Sequence, residues 1–206
     1  MPRLLLATNN QGKVREYQSL LRGISIELVT PAQQRIDLEV EETGCTFEEN
    51  ARLKAAAFAK AGRLLTLADD SGLEVDALNG EPGIRSSRYA GEGASDADRI
   101  NFLLDKLKDI PAEKRTAHFV CIIAIAAPDG KIEICSGRCE GIIISEPRGE
   151  WGFGYDPIFY FLELKKTMAE LPMEIKNQVS HRAHAAQEAV KILNNLANLQ
   201  SETKYA

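Results

Sequence analysis

The sequence lacks the features that suit a chain to nucleic acid, to a membrane or to a disulfide-stapled exterior. Lys and Arg number 25 against 30 Asp and Glu, a formal charge of −5, so the cationic excess needed to coat nucleic acid is missing. A local cluster of cations can still hold a small polyanion within an acidic protein. No apolar run approaches membrane-spanning length, and the opening Met-Pro-Arg-Leu-Leu-Leu is too short for a signal peptide. The four cysteines, Cys45, Cys121, Cys135 and Cys139, lack the tight paired spacing of a zinc site. They read as buried free thiols of a reducing compartment, and the expected location is cytoplasmic. There is no internal repeat and no low-complexity segment. What is present is ordinary for a globular chain: 44% hydrophobic and 27% charged residues over 206 positions, enough to bury a core. One domain over residues 1–200 is expected, with 201–206 as a frayed tail.

The apolar run Leu4–Ala7 predicts a buried strand. Val14, Tyr17, Leu20 and Leu21 then fall on helical spacing and Gly23 ends that helix. Ile24–Val29 predicts a second strand. Thr46 and Glu49 make a capping box for an alanine-rich helix to about Ala61, stopped by Gly62. Leu64–Ala68 predicts a strand that ends at Asp69-Asp70-Ser71-Gly72, and Asp96 to Lys108 an amphipathic helix. Phe119–Ala127 and Lys131–Cys139 around Pro128-Asp129-Gly130 predict a β-hairpin. Gly141–Ser145 and Ile158–Phe161 predict further strands, and Ser180 to Leu199 a closing helix. Helices interleaved with strands early and a hairpin late predict an α/β fold with a mixed sheet flanked by helices.

Five segments carry residues suited to chemistry, and each also has a plain structural reading as a turn, cap or surface charge. Thr8-Asn9-Asn10-Gln11-Gly12-Lys13 links a strand to a helix, where free backbone N–H groups and the helix dipole favour anions. It is not a Walker A loop, since the leading Gly is absent and Val14 stands where that motif has Ser or Thr. Asp69 and Asp70 at a strand end point in different directions, so one can bind a metal or activate water while the other anchors the loop. Glu41 and Glu42 precede the helix that carries Asn50 and Lys54 on one face. Trp151-Gly152-Phe153-Gly154-Tyr155-Asp156-Pro157 alternates glycines with aromatics, which suits close backbone approach to a planar ligand. Lys176 and Ser180-His181-Arg182 precede or open the last helix, again an anion-favouring position.

Taken in order, these blocks resemble the inosine triphosphate pyrophosphatase family, the XTP/dITP diphosphatases, over essentially the whole chain. The resemblance implies an elongated mixed sheet with two lobes and a central cleft, a homodimer, Mg²⁺ as cofactor, and a purine nucleoside triphosphate such as ITP, dITP or XTP as substrate. It implies that Thr8, Asn9, Asn10, Gln11, Gly12, Lys13 and Lys54 hold the triphosphate, and that Asp70 activates water beside Asp69. Glu41 or Glu42 would share the metal with Asp70, and Ser71 would touch the substrate. Phe153, Gly154, Tyr155 and Asp156 would form the base pocket, with Lys176, His181 and Arg182 completing recognition. Two alternatives stand beside this reading: a Maf-like pyrophosphatase for modified pyrimidines, and a nucleotide-binding module without turnover.

Overall fold

Leu4, Leu5 and Leu6 are all fully buried because strand β1 (Arg3–Leu6) is packed on both faces. Side chains alternate across a strand, so Leu4 and Leu6 join a cluster with Val14, Tyr17 and Ala185. Leu5 joins a separate cluster with Ala51, Ala55 and Phe58. β1 pairs in parallel with β2 (Glu27–Val29) and β3 (Leu65–Val75), and continuous apolar runs are what such doubly covered strands require. The remaining strands are β4 (Thr116–Ala126), β5 (Ile132–Ile143), β6 (Phe159–Phe161) and β7 (Lys166–Thr167). All seven form one sheet in the order β2-β1-β3-β4-β5-β6-β7. β5–β6 and β6–β7 are antiparallel, so the sheet is mixed. The coordinates are a computed structural model that describes residues 1–202, with side chains described through residue 196.

The chain divides into two compact units. The first holds Met1–Asp70, Cys121–Gly137 and the described residues from Arg182 onward. In it, α1 (Gln11–Leu20) and α5 (His181–Glu202) supply Val14, Tyr17, Ala186, Ala189 and Leu193 to one cluster. α2 (Phe47–Gly62) supplies Ala51, Ala55, Phe58 and Ala59 to the other. Alanines four residues apart leave a shallow stripe on α2 that lets the helix lie close to the sheet. The second unit holds Ser71–Val120 and Arg138–His181. Its core joins Leu73 and Val75 of β3 and Leu103 of α3 (Asp96–Lys106) to Phe119, Ile158, Phe159 and Met168. His118 is buried on β4, its Nε2 2.6 Å from Glu74 Oε2.

Several boundaries differ from the sequence reading. β3 does not end at Asp69 but continues through Val75, because both aspartates find partners from flanking helices while the strand stays hydrogen-bonded. β2 begins at Glu27 rather than Ile24, since Gly23, at φ 94, turns the chain and the next residues complete that turn. β5 extends to Ile143 and absorbs the first part of the strand expected at Gly141–Ser145. The short helix α4 (Met173–Val179) has no clear apolar period, with Met173 and Ile175 exposed, and it left no pattern to find. Three cysteines are buried free thiols as expected, but Cys45 is exposed in the loop before the α2 cap. Ser201 and Glu202 of the expected tail belong to α5; positions 203–206 lie outside the described residues. Among the described residues, no helix is long and apolar enough to cross a membrane.

Candidate active site

In the first unit the loop from β1 to α1 is built by its own polar side chains. Asn10 is the N-cap of α1, its Oδ1 accepting from the Lys13 N–H at 3.1 Å. Thr8 Oγ1 accepts from the Asn10 N–H at 3.2 Å, and Gln11 Nε2 donates to the Asn9 carbonyl at 3.3 Å. The hydroxyl hydrogen of Thr8 and the amide NH₂ of Asn10 keep their donor character toward an anion at the helix N-terminus. Gly12 is buried in the first turn of α1.

The paired aspartates lie on β3. Because strand side chains alternate, Asp69 faces α1 and α5 while Asp70 faces α2. Asp69 Oδ1 lies 3.0 Å from Lys13 Nζ, and Asp69 Oδ2 accepts from Arg182 Nε and Nη2 at 3.2 and 3.1 Å. Arg182 in turn donates from Nη1 to Glu16 Oε2 at 2.6 Å. Burial pushes the Asp69 carboxyl up, but Lys13, then Arg182 and Lys54, more than offset this and hold it well below the usual carboxylate range. Arg182 is only 1% exposed, and its guanidinium is engaged by Asp69 and Glu16. Glu16 carried no sequence signal, being an ordinary helical glutamate until the fold buries it.

Asp70 Oδ2 accepts from Asn50 Nδ2 at 3.2 Å. Asn50 Oδ1 accepts from the Gly44 N–H at 2.8 Å, and a Cβ at Gly44 would come within 2.6 Å of that oxygen. Gly44 thus lets the acidic segment lie against α2. Lys54 Nζ is 2.9 Å from Glu42 Oε1, 2.8 Å from the Asp69 carbonyl and 3.6 Å from Asp70 Oδ1. Burial raises the Asp70 pKa, with Glu42 adding to it and Lys54 opposing. Of the two glutamates, Glu42 faces this group and Glu41 is exposed, which separates a pair the sequence could not. Ser71 follows on β3 and is partly buried.

The second unit gathers the glycine–aromatic loop. Asp156 is buried, and its Oδ2 accepts from the Phe153 N–H at 2.9 Å and from Lys176 Nζ at 2.6 Å. Asp156 is thus paired with a cation, Lys176. Lys176 Nζ also lies 5.2 Å from the Phe153 ring centroid, a cation–π contact. Tyr155 turns inward. It is 3% exposed, its ring belongs to the apolar core, and its hydroxyl donates to the Ser86 carbonyl at 3.0 Å. Phe153 is partly buried and is the ring of this loop left nearer the surface. His181 is buried and stacked on Phe119, 4.7 Å between ring centroids.

Gly152 is a residue whose importance only the packing reveals. It sits at φ 85, and a Cβ there would come 2.1 Å from Asp156 Oδ2. Gly152→Ala is therefore expected to displace Asp156 and to weaken binding of the purine nucleotide that the resemblance implies by about tenfold or more, the size of one lost charge-assisted hydrogen bond. Calorimetric titration of the variant checks this; unchanged affinity would show that the loop does not depend on the Asp156 contact.

Comparison with known proteins gives a consistent picture. The Ham1 family profile matches residues 4–192. A dITP/XTP pyrophosphatase of Desulforamulus reducens is 51% identical over 194 residues, covering 94% of this chain and 96% of that one. The dITP/XTP pyrophosphatase of Bacillus subtilis is 47% identical, covering 94% and 98%. The structure of a HAM1 protein from Coxiella burnetii superimposes with a TM-score of 0.86 at 44% identity, covering 95% of this chain and all of that one. With its mixed sheet, its paired aspartates and these relatives spanning nearly its full length, the chain belongs to the Ham1 family.

Proposed function

We propose that this chain hydrolyses non-standard purine nucleoside triphosphates (ITP, dITP and XTP) to the monophosphate and pyrophosphate, cleansing the nucleotide pool as a cytoplasmic homodimer. The observation that carries the reading is the placement of Asp70, held by Asn50 and flanked by Lys54 and Glu42, beside Asp69 with its Lys13. The dITP/XTP names of the relatives above favour purines over the pyrimidine alternative and turnover over binding alone.

The residues suit Mg²⁺. Glu42 and Asp70 turn two hard oxygen donors toward one ammonium group, that of Lys54. Two carboxylates are the donor set of an ion that completes its shell with phosphate and water. Bound there, the ion supplies charge neutralisation on phosphate oxygens. The chain's own residues do the rest. The α1 N-terminus, Thr8, Asn10 and Lys13 bind the phosphates, Lys54 adds charge, and Asp70 takes the proton of the attacking water at the α-phosphorus. Phe153 stacks on the purine, Lys176 reads its 6-oxo edge, and His181 lines the pocket.

Purified protein is incubated with ITP, dITP, XTP, ATP, GTP and CTP plus Mg²⁺ and the products are identified. ATP is expected to turn over at least about tenfold more slowly than ITP, since its amino group leaves a buried partner unsatisfied at about 1–3 kcal/mol. Equal rates would overturn the selectivity, and orthophosphate in place of pyrophosphate would overturn the bond assignment.

A further inference from the structure

Phe153 stands between two glycines, Gly152 at φ 85 and Gly154 at φ 62, so its own backbone does little to fix where its ring points. The two peptide N–H groups on either side of its Cα are nevertheless both held by carboxylates. The Phe153 N–H donates to Asp156 Oδ2 at 2.9 Å, and the Gly154 N–H donates to Asp96 Oδ2 at 2.7 Å. Asp156 belongs to the loop itself, whereas Asp96 is the first residue of α3, far away in sequence. The other carboxylate oxygen of Asp96 is paired with Arg99, and Arg99 Nη1 donates to the Ser87 carbonyl at 3.0 Å, which fixes the direction from which Asp96 reaches the loop. A cavity of about 320 Å³ borders the loop here, lined by Ile100, Asn101, Trp151 and Phe153 among others. On this side packing does not fill the space, and the hydrogen bond from Gly154 carries the contact.

We infer that Asp96 is a positioning residue for base recognition: by holding the Gly154 N–H it fixes the Phe153 ring in the orientation that stacks on the purine. This rests on Phe153 being the stacking ring of the proposed function. Asp96 touches no substrate in this scheme. It removes the loop's freedom before binding, so that the ordering cost is not charged against the nucleotide.

The test compares binding of IMP, which carries the base, with binding of inorganic pyrophosphate, which does not, by calorimetry on the full chain. Asp96→Ala is expected to weaken IMP by about tenfold, the scale of one hydrogen bond to a charged group, and to leave pyrophosphate unchanged. Asp96→Asn keeps an oxygen acceptor and is expected to restore IMP binding to within about threefold of the parent, the difference between charged and neutral acceptors. Should Asp96→Ala fail to fold, Asp96→Ser suits a helix N-terminus yet is too short to reach Gly154. Equal weakening of both ligands, or an Asn variant as weak as the Ala variant, overturns the positioning role. Phe153→Ala separates the two levels. If it leaves IMP binding intact, the stacking reading itself fails. If it weakens IMP while Asp96→Ala does not, only the role of Asp96 fails.

Discussion

Asp70→Asn is expected to lower kcat by between about 10² and 10⁴, the range contributed by a positioned general base, without lowering the melting temperature. The second half of that expectation follows from the surroundings of Asp70. Burial disfavours its charged form and Glu42 repels it, while Lys54 and the Asn50 amide only partly compensate. An asparagine of the same shape removes a charge that the fold holds at a cost, and Lys54 retains Glu42 at 2.9 Å. Residues kept charged against the local environment are typical of sites where activity and stability oppose each other. Steady-state assays of pyrophosphate release with thermal melts of the same preparations check both halves. A fully active variant means that the base is misassigned. A loss of activity accompanied by an equal loss of folding would make Asp70 structural.

The neighbouring residue is expected to behave in the opposite way. Asp69→Asn should lower stability by about 3–5 kcal/mol, because it leaves a buried cation without its carboxylate. Arg182 would keep Glu16 at 2.6 Å, but the single oxygen of an asparagine cannot serve both Arg182, at 3.1 and 3.2 Å, and Lys13, at 3.0 Å, and its amide turns N–H toward the other cation. For a chain of this length that corresponds to a fall of roughly 6–20 °C in Tm. The effect depends on pH with a defined sign. The Asp69 carboxyl is held below its ordinary range in the folded protein, so its contribution is complete above the ordinary carboxyl pKa of about 4 and declines as the pH falls below it. The stability gap between parent and variant should thus narrow on acidification below that point. A gap that is absent at neutral pH, or that widens in acid, would show that the Lys13–Asp69–Arg182–Glu16 chain does not stabilise the fold.

The contrast between these two adjacent aspartates shows how far residue patterns reach. Period-2 alternation already says that Asp69 and Asp70 leave the strand on opposite faces. Which helix waits on each face is not written nearby: Lys13 and Glu16 lie over fifty positions upstream and Arg182 more than a hundred downstream. The same holds for the loop at Phe153. Its glycines and aromatics mark it as unusual, but nothing local tells that Tyr155 turns into the core toward Ser86 while Phe153 stays near the surface. The Asp96 contact to Gly154 spans two elements with no shared motif. Strand β3 runs past the end that its sequence predicts, because polar residues inside a strand look like its end until their partners fold against them.

What the sequence determined by itself is everything set by short-range rules. The doubly buried β1 follows from its apolar run, the α2 boundary from the Thr46–Glu49 capping box and the α1 cap from Asn10, since a cap or a periodic face is decided within a few residues. The mixed sheet follows from the order of those elements, and the ordered motifs point to the family. The tertiary structure alone decided which charges meet. It chose Glu42 over Glu41, turned Arg182 inward to Asp69, and made Glu16, Gly44, Gly152 and Asp96 matter. The physical reason is that burial and ion pairing depend on distance in space. A glutamate on a helix or a glycine in a loop acquires its role only when a distant part of the chain is folded against it.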